Sequence, residues 1–364
     1  STPKPSSAAS DVYKRQVLTY WEKESIYKEA RERVSNGKKF YFLDGPPYAN
    51  GKVHVGTAWN KSLKDAFLRY KRKKGFNVFD RAGYDMHGLP VEHATEKELG
   101  LEDKEAIKRY GEKRFIEACR SLALRNMEIM NKDFKRLGVW MDFDNAYKTI
   151  DREFILGEWW LIKKAEEKGR LYEAYKTMHW CPHCGTALAK HELEYKTVTD
   201  DSIFIKFKIK DKENEYLLVW TTTPWTLPFN LGVMANPEME YVKVEVENNG
   251  KKEKWIIAKA LMNTVIGGVL GKKYKLIEEF KGEEIEGLRY EPVIPTKPLL
   301  EAVKNSKKPE NAFTVLLSSE YVTPTAGTGL VHCAPGCGPE DYEVGYKYGL
   351  PIFNNLNEEG YFPC

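Results

Sequence analysis

The sequence predicts an α/β chain in two parts, a strand–helix–strand unit built on a parallel sheet and then a β-rich domain. Three observations carry this. The aromatic and apolar run at residues 40–43 reads as a buried strand, and it stops at Asp44-Gly45-Pro46-Pro47, where two prolines cannot continue a sheet ladder. From Val55 to Lys73 the residues Val55, Ala58, Trp59, Leu63, Ala66, Phe67 and Tyr70 recur at helical spacing with lysines between them. A second strand follows at residues 77–79, which completes a crossover unit. Past Thr197 the pattern becomes short strands and turns, with strands expected at 202–209, 216–220, 241–246 and 255–258.

A chain of 364 residues that is 42% hydrophobic and 13% aromatic has material for two or three packed cores. Its net charge of +4, from 57 basic and 53 acidic side chains, permits a nucleic-acid partner without requiring one. Six cysteines, two of them in a Cys-x-x-Cys, suit a reducing compartment and a metal better than a disulfide framework. No apolar run reaches the roughly 18 residues of a membrane span, and no charged-then-apolar leader opens the chain. A cytoplasmic protein with no membrane partner is expected. Residues 1–16 read as a disordered or non-native leader, residues 17–190 as the crossover unit, and residues 191–364 as a β-rich domain that looks truncated after Gly360-Tyr361-Phe362.

Taken in order, residues 17–34 form an amphipathic helix with Leu18, Trp21, Ile26 and Ala30 inward, and Asn36-Gly37 leads into the first strand. The turn after that strand sets His54 and Gly56 at a helix N-terminus, where free N–H groups and the helix dipole favour a phosphate. Gly56 would let a nucleotide approach the backbone and His54 could donate to a phosphoryl oxygen; a plain helix cap is the alternative. The basic run at 69–74 suits the negative end of the same helix. Beyond the second strand lies Gly83-Tyr-Asp85-Met-His87-Gly-Leu-Pro-Val-Glu92, at the carboxyl edge where open α/β sheets bind ligands. Asp85 there either neutralises an ammonium group or makes an Asx-turn.

One long helix is expected over 103–136, with Ile107, Phe115, Cys119, Leu122 and Met127 buried, and another over 153–169 with Trp159 and Trp160 in the core. Cys181-Pro-His-Cys184 in a Pro and Gly turn reads as a zinc knuckle. Zinc takes four ligands and the chain has no second such pair, so His179, His183 and His191 are the neighbouring candidates. Residues 247–254 read as a polar hairpin loop. Thr221-Thr222-Thr223-Pro-Trp225 sets three hydroxyls at a strand end, which β-propensity alone also explains. A Gly and Pro-rich stretch later carries His332, Cys333, Cys337, Glu340 and Asp341, a spacing that fits zinc poorly.

The string Asp44-Gly-Pro-Pro-Tyr-Ala-Asn-Gly-x-x-His54-x-Gly56 resembles the first signature of the class I aminoacyl-tRNA synthetases, His-Ile-Gly-His, with Thr57 in place of the second histidine. A threonine hydroxyl can still donate a hydrogen bond. The longer string Gly83-x-Asp85-x-His-Gly-Leu-Pro-x-Glu92 resembles the isoleucyl members, and leucyl and valyl relatives differ within it. The resemblance runs from about Val17 to Tyr361. It implies a Rossmann-like catalytic half with ATP and Mg2+ at His54, Gly56 and Thr57, with Asp85 on the ammonium of isoleucine and Gly45 and Pro46 lining the side-chain pocket.

Residues 217–228 and 327–342 resemble the editing half of the isoleucyl, valyl and leucyl enzymes, which hydrolyses mischarged tRNA. A pocket for isoleucine cannot exclude valine by more than about 1–3 kcal/mol, a limit for which isoleucine-specific synthetases are themselves the standard example. By resemblance Asp341 grips the ammonium of a valyl group, Thr221, Thr222, Thr223 and Trp225 line the ester pocket, and His332 limits side-chain size. Cys337 stands where bacterial members have histidine, which with Thr57 points to an archaeal-like branch. The resemblance also places the partners of Cys181 and Cys184 beyond residue 364, so the chain holds half a zinc site. The implied protein is a monomer that uses isoleucine, ATP and tRNA(Ile). The chain lacks a Lys-Met-Ser-Lys-Ser loop and is expected not to aminoacylate by itself. Valyl or leucyl specificity, or a non-catalytic tRNA-binding module, are the competing readings.

Overall fold

The computed structural model describes residues 7–363, which fall into two compact units dividing between Glu173 and Ala174. The first unit runs α1 (Ser7–Lys23), α2 (Ile26–Glu32), β1 (Lys39–Tyr41), α3 (Val55–Lys73), β2 (Asn77–Phe79), β3 (Arg81–Tyr84), α4 (Leu89–Leu99), α5 (Lys104–Tyr110), α6 (Glu112–Leu137), β4 (Asp142–Lys148) and α7 (Arg152–Glu167). Strand β1 pairs in parallel with β2 and β3 with β4, while the Asp142 N–H reaches the Asp80 carbonyl between the two pairs. The nucleotide-binding α/β expectation therefore holds, with helix α3 crossing between parallel strands. Leu68, Val78, Ala82, Tyr84, Leu122, Met130 and Phe134 form the core beneath this sheet.

Several local expectations change. Helix α1 begins at Ser7, and within it Asp11 takes both Arg15 and, on α6, Arg136, so the leader expected to be disordered is helical from Ser7; residues 1–6 lie outside the described part. The first helix breaks at Ser25, whose backbone is left-handed (φ 50°), and the long helix breaks at Gly111 (φ 101°) into α5 and α6. A side chain at Gly111 would strain that break, which is why glycine stands there. On α7, Trp159 and Trp160 are exposed rather than core.

The second unit holds the hairpin β5 (His179–Cys181) and β6 (Thr186–Leu188), so the cysteine pair belongs with it rather than with the first unit as expected. Then come β7 (Ile203–Lys208), β8 (Glu215–Thr221), β9 (Gly232–Ala235), β10 (Glu240–Asn248), β11 (Lys251–Ala258), α8 (Lys259–Met262), β12 (Tyr274–Lys281), α9 (Lys297–Lys304), β13 (Thr314–Leu317), β14 (Leu330–Cys333) and α10 (Pro339–Tyr348). Eight of these strands form one sheet in the order β12-β10-β11-β8-β14-β9-β13, with β7 also on β8. The loop expected over 247–254 shrinks to Asn249-Gly250, both at positive φ, because a two-residue turn of that kind matches the twist of its strands. With β8 and β9 on either side of β14, residues near Thr221 come to lie beside residues of β14 that are far away in sequence.

Candidate functional sites

In the first unit the signature turn is organised by Asp44. Its carboxylate is fully buried and meets the Lys61 ammonium, the Lys64 ammonium at 2.8 Å and the Gly83 N–H at 3.1 Å. Its backbone carbonyl accepts from the Tyr147 hydroxyl, and Lys64 also holds the Gly45 carbonyl at 3.0 Å. Burial pulls the Lys61 ammonium down and Asp44 opposes that, so the pair survives because each charge is the other's solvent. Gly83 is obligatory for another reason: a Cβ there would stand 2.1 Å from the Tyr147 ring.

His54 caps α3. Its Nδ1 accepts from the N–H groups of Gly56 (3.2 Å) and Thr57 (3.4 Å), so the proton sits on Nε2, which donates to the Thr57 hydroxyl at 2.9 Å. Gly56 makes room for this ring, since a Cβ would lie 3.1 Å from His54 Cε1. Asp85 is drawn to the same turn through its backbone, the Ala49 N–H donating to its carbonyl at 2.8 Å and its own N–H donating to Pro47 at 2.9 Å. Its carboxylate accepts from the His87 N–H at 3.4 Å, the Asx-turn geometry. Thus Gly45, Pro46, His54, Gly56, Thr57 and Asp85 all lie on or against one turn.

In the second unit Thr221, Thr222, Thr223, Trp225, His332 and Asp341 line a single cavity of about 570 Å³. Strand β8 ends at Thr221, β14 carries His332, and the first turn of α10 supplies Asp341. Burial pushes the Asp341 carboxyl up to about 7; the backbone at Ala334 opposes this and Glu340 adds to it, and among the described residues no cationic side chain pairs with it. Gly338 leaves it room, as a Cβ there would come within 2.9 Å of Oδ2. His332 is buried and desolvation lowers it to about 4. Its Nδ1 accepts from the Asn230 amide at 2.9 Å and its Nε2 donates to the Thr226 hydroxyl at 2.8 Å, which donates on to the Thr223 carbonyl at 2.8 Å.

A family model described as tRNA synthetases class I (I, L, M and V) matches residues 16–322. The chain belongs to the class I tRNA synthetases. Among curated members it is 50% identical over 348 residues to the isoleucine–tRNA ligase of Pyrococcus abyssi and 51% over 348 to that of Pyrococcus horikoshii, in each case 94% of this chain and 32% of the relative. The isoleucine–tRNA ligase of Methanocaldococcus jannaschii is 48% identical over 356 residues, 95% of this chain and 34% of its own length. These relatives are archaeal, as the sequence suggested, and this synthetase chain spans about a third of their length. A solved LeuRS–tRNA–LeuAMS complex from Agrobacterium radiobacter K84 aligns with 74% of this chain and 47% of its own at 15% identity and TM-score 0.38, too loose a likeness to carry anything further.

In this synthetase chain the cysteine pair sits on the β5–β6 turn, where the Cys184 N–H approaches the Cys181 sulfur at 3.5 Å and Gly185 has a positive φ of 56°. Two thiols so placed fit half of a tetrahedral zinc site, and no group of three or more metal-binding side chains occurs among the described residues. No helix among the described residues is long and apolar enough to cross a membrane. Sequence reasoning missed Asp44, Lys61, Lys64 and Tyr147 at the first site and Thr226, Asn230 and Tyr290 at the second. Only Asp44 and Thr226 lay inside strings already singled out, and their neighbours drew the eye.

Proposed function

We propose that this chain is the part of an isoleucine–tRNA ligase that carries the amino-acid and ATP signature together with a hydrolytic editing pocket. The whole enzyme, a cytoplasmic monomer, joins isoleucine to ATP as an adenylate with release of pyrophosphate, then passes the acyl group to the terminal ribose of tRNA(Ile). Mg2+ accompanies the ATP and offsets phosphate charge. At the signature turn the N-terminus of α3 faces the phosphates, and the Nε2–H of His54 turns from the Thr57 hydroxyl to a phosphoryl oxygen. Asp85 holds the ammonium of isoleucine, while Lys64 keeps the Gly45-Pro46 backbone in place beside it through the Gly45 carbonyl. Zinc, where the rest of the protein supplies two further ligands, would be held by Cys181 and Cys184 and fix that hairpin.

The observation that carries the reading is the half-buried Asp341, paired with no cationic side chain among the described residues, in one cavity with Thr221, Thr222 and Thr223. Such a carboxyl is costly until a positive charge arrives, and the ammonium of an aminoacyl ester supplies it. Binding that ammonium pulls the Asp341 proton off and fixes the ester. The hydroxyls of Thr221, Thr222 and Thr223 then orient the carbonyl and the attacking water, which cleaves the bond to the ribose and releases valine and free tRNA. His332 fills one wall and stays neutral, so it does not repel the ammonium.

The test is hydrolysis of valyl-tRNA(Ile) beside isoleucyl-tRNA(Ile) by this polypeptide and by its Asp341→Ala variant, with near-UV circular dichroism to follow the fold. Selective loss of the valyl ester, abolished in the variant, is expected. Equal cleavage of both esters, or none from a folded chain, overturns the reading; tight, salt-sensitive tRNA binding without turnover would favour a binding module instead.

A further inference from the structure

The Tyr290 side chain is buried against Phe207, with ring centroids 5.2 Å apart, and Phe313, at 6.3 Å. Tyr290 is not itself among the residues that line the cavity. Its hydroxyl donates to the Asn230 side-chain oxygen at 2.6 Å. The Asn230 nitrogen then has two acceptors, the Gly232 carbonyl at 2.8 Å and His332 Nδ1 at 2.9 Å. Asn230 is itself 2% exposed, so bulk solvent does not reach its amide.

The chemistry of these donors permits one assignment. A backbone carbonyl only accepts, so the amide nitrogen must face Gly232, and the same nitrogen therefore faces Nδ1. An N–H cannot bond to another N–H, so Nδ1 is bare and the imidazole proton lies on Nε2, aimed at Thr226. Reversing the amide would set two oxygens against each other at Gly232 and leave the phenol proton without its acceptor. Tyr290 and the Gly232 carbonyl thus lock the amide from opposite ends.

We propose that Tyr290 is a positioning residue for the editing pocket, fixing the tautomer of His332 through Asn230 and so the direction in which the Thr226 hydroxyl points. This deepens the hydrolytic reading and rests on it for its consequence. With the lock in place, His332 can take neither a second proton nor the other tautomer without breaking a buried hydrogen bond. The other titratable groups around the imidazole are Cys333 beside it in the chain and Tyr321, Cys337, Glu340 and Asp341 around the cavity. None of them is a hydrogen-bond partner of its ring nitrogens.

The experiment is nitrogen NMR of the His332 ring in the whole chain, run with valyl-ester hydrolysis across pH for wild type, Tyr290→Phe and Asn230→Asp. In the wild type Nδ1 should read as bare and Nε2 as protonated at all pH above about 5. Tyr290→Phe keeps the ring packing but frees the amide oxygen. It should give a mixture of tautomers, move the protonation of His332 upward by about one pH unit, and open a matching acid limb in hydrolysis. Asn230→Asp sets an acceptor against Nδ1 and should put the proton there outright. An unchanged tautomer and titration in folded Tyr290→Phe overturns the proposal whatever hydrolysis does. A changed tautomer with no hydrolysis by any variant leaves the proposal standing and removes the editing reading.

Discussion

In the first unit the buried carboxylate Asp44 lies against two ammonium groups and a backbone N–H, whereas in the second unit the half-buried Asp341 has an acidic neighbour, Glu340, and no cation among the described residues. The same functional group is thus completed in one place and left incomplete in the other. Asp44 works as scaffold, tying the signature turn to α3 and β3. Asp341 has no such partner among the described residues, which is what the proposed ammonium site requires. Asp44 is also the more deeply buried of the two, yet it is Asp44 that has its counter-charges, so the partners and not the depth set the two apart.

The strongest way to break that contrast is to remove each carboxylate. Asp44→Ala leaves Lys61 buried and unpaired, and should destabilise the first unit by about 3–5 kcal/mol in urea unfolding. Asp341→Ala should leave stability at neutral pH unchanged or improved, while valyl-ester hydrolysis falls by roughly 100-fold or more, the scale for losing one partner of a desolvated charge pair. Comparable destabilisation by both substitutions would erase the distinction.

The pH dependence sharpens it. Asp341 is raised from 3.8 to about 7, so above 3.8 the folded chain keeps a proton that the unfolded chain has released. Its contribution is full below 3.8 and is lost as pH rises through about 7. His332 is lowered from 6.5 to about 4, so the sign reverses: its contribution is full above 6.5 and is lost as pH falls through about 4. Unfolding midpoints from about pH 5 to about pH 7 should therefore gain more with pH in Asp341→Asn than in the wild type, because only the histidine's rise remains. An identical profile would mean that Asp341 is not held neutral. The smallest effect belongs to Lys64→Met, which leaves Asp44 still paired with Lys61. It should cost about 1 kcal/mol or less in unfolding, yet loosen the Gly45 carbonyl and weaken isoleucine binding in the whole enzyme.

Periodicity made much of this legible. The spacing from Val55 to Lys73 marked α3 to its ends, and the triple threonine and the His332 loop, more than 100 residues apart, share a cavity because β8 and β14 are neighbours. What stayed hidden depends on contacts that no local pattern encodes. Tyr147 meets Asp44 from 103 residues away, and Tyr290 meets Asn230 from 60. Gly83 stood in the sequence only as the first residue of the Asp85 string, while its constraint is the Tyr147 ring, which leaves no room for a Cβ. The Asn249-Gly250 hairpin was readable, since that dipeptide is a strong turn signal, but a charged surround disguised it as a longer loop. Trp159 and Trp160 followed helical spacing and still face outward, because amphipathicity sets a direction without naming what lies in it.

Two of the sheet edges carry a consequence for handling the protein. Strand β12 ends its sheet with Lys275, Glu278, Glu279 and Lys281 along it, charges that deter a second chain from adding to the ladder. Strand β1 ends its own pairing with Tyr41 and, just beyond, Leu43, at 71% and 81% exposure. Tyr41→Lys is therefore expected to raise the concentration at which this chain stays monomeric, as light scattering would read.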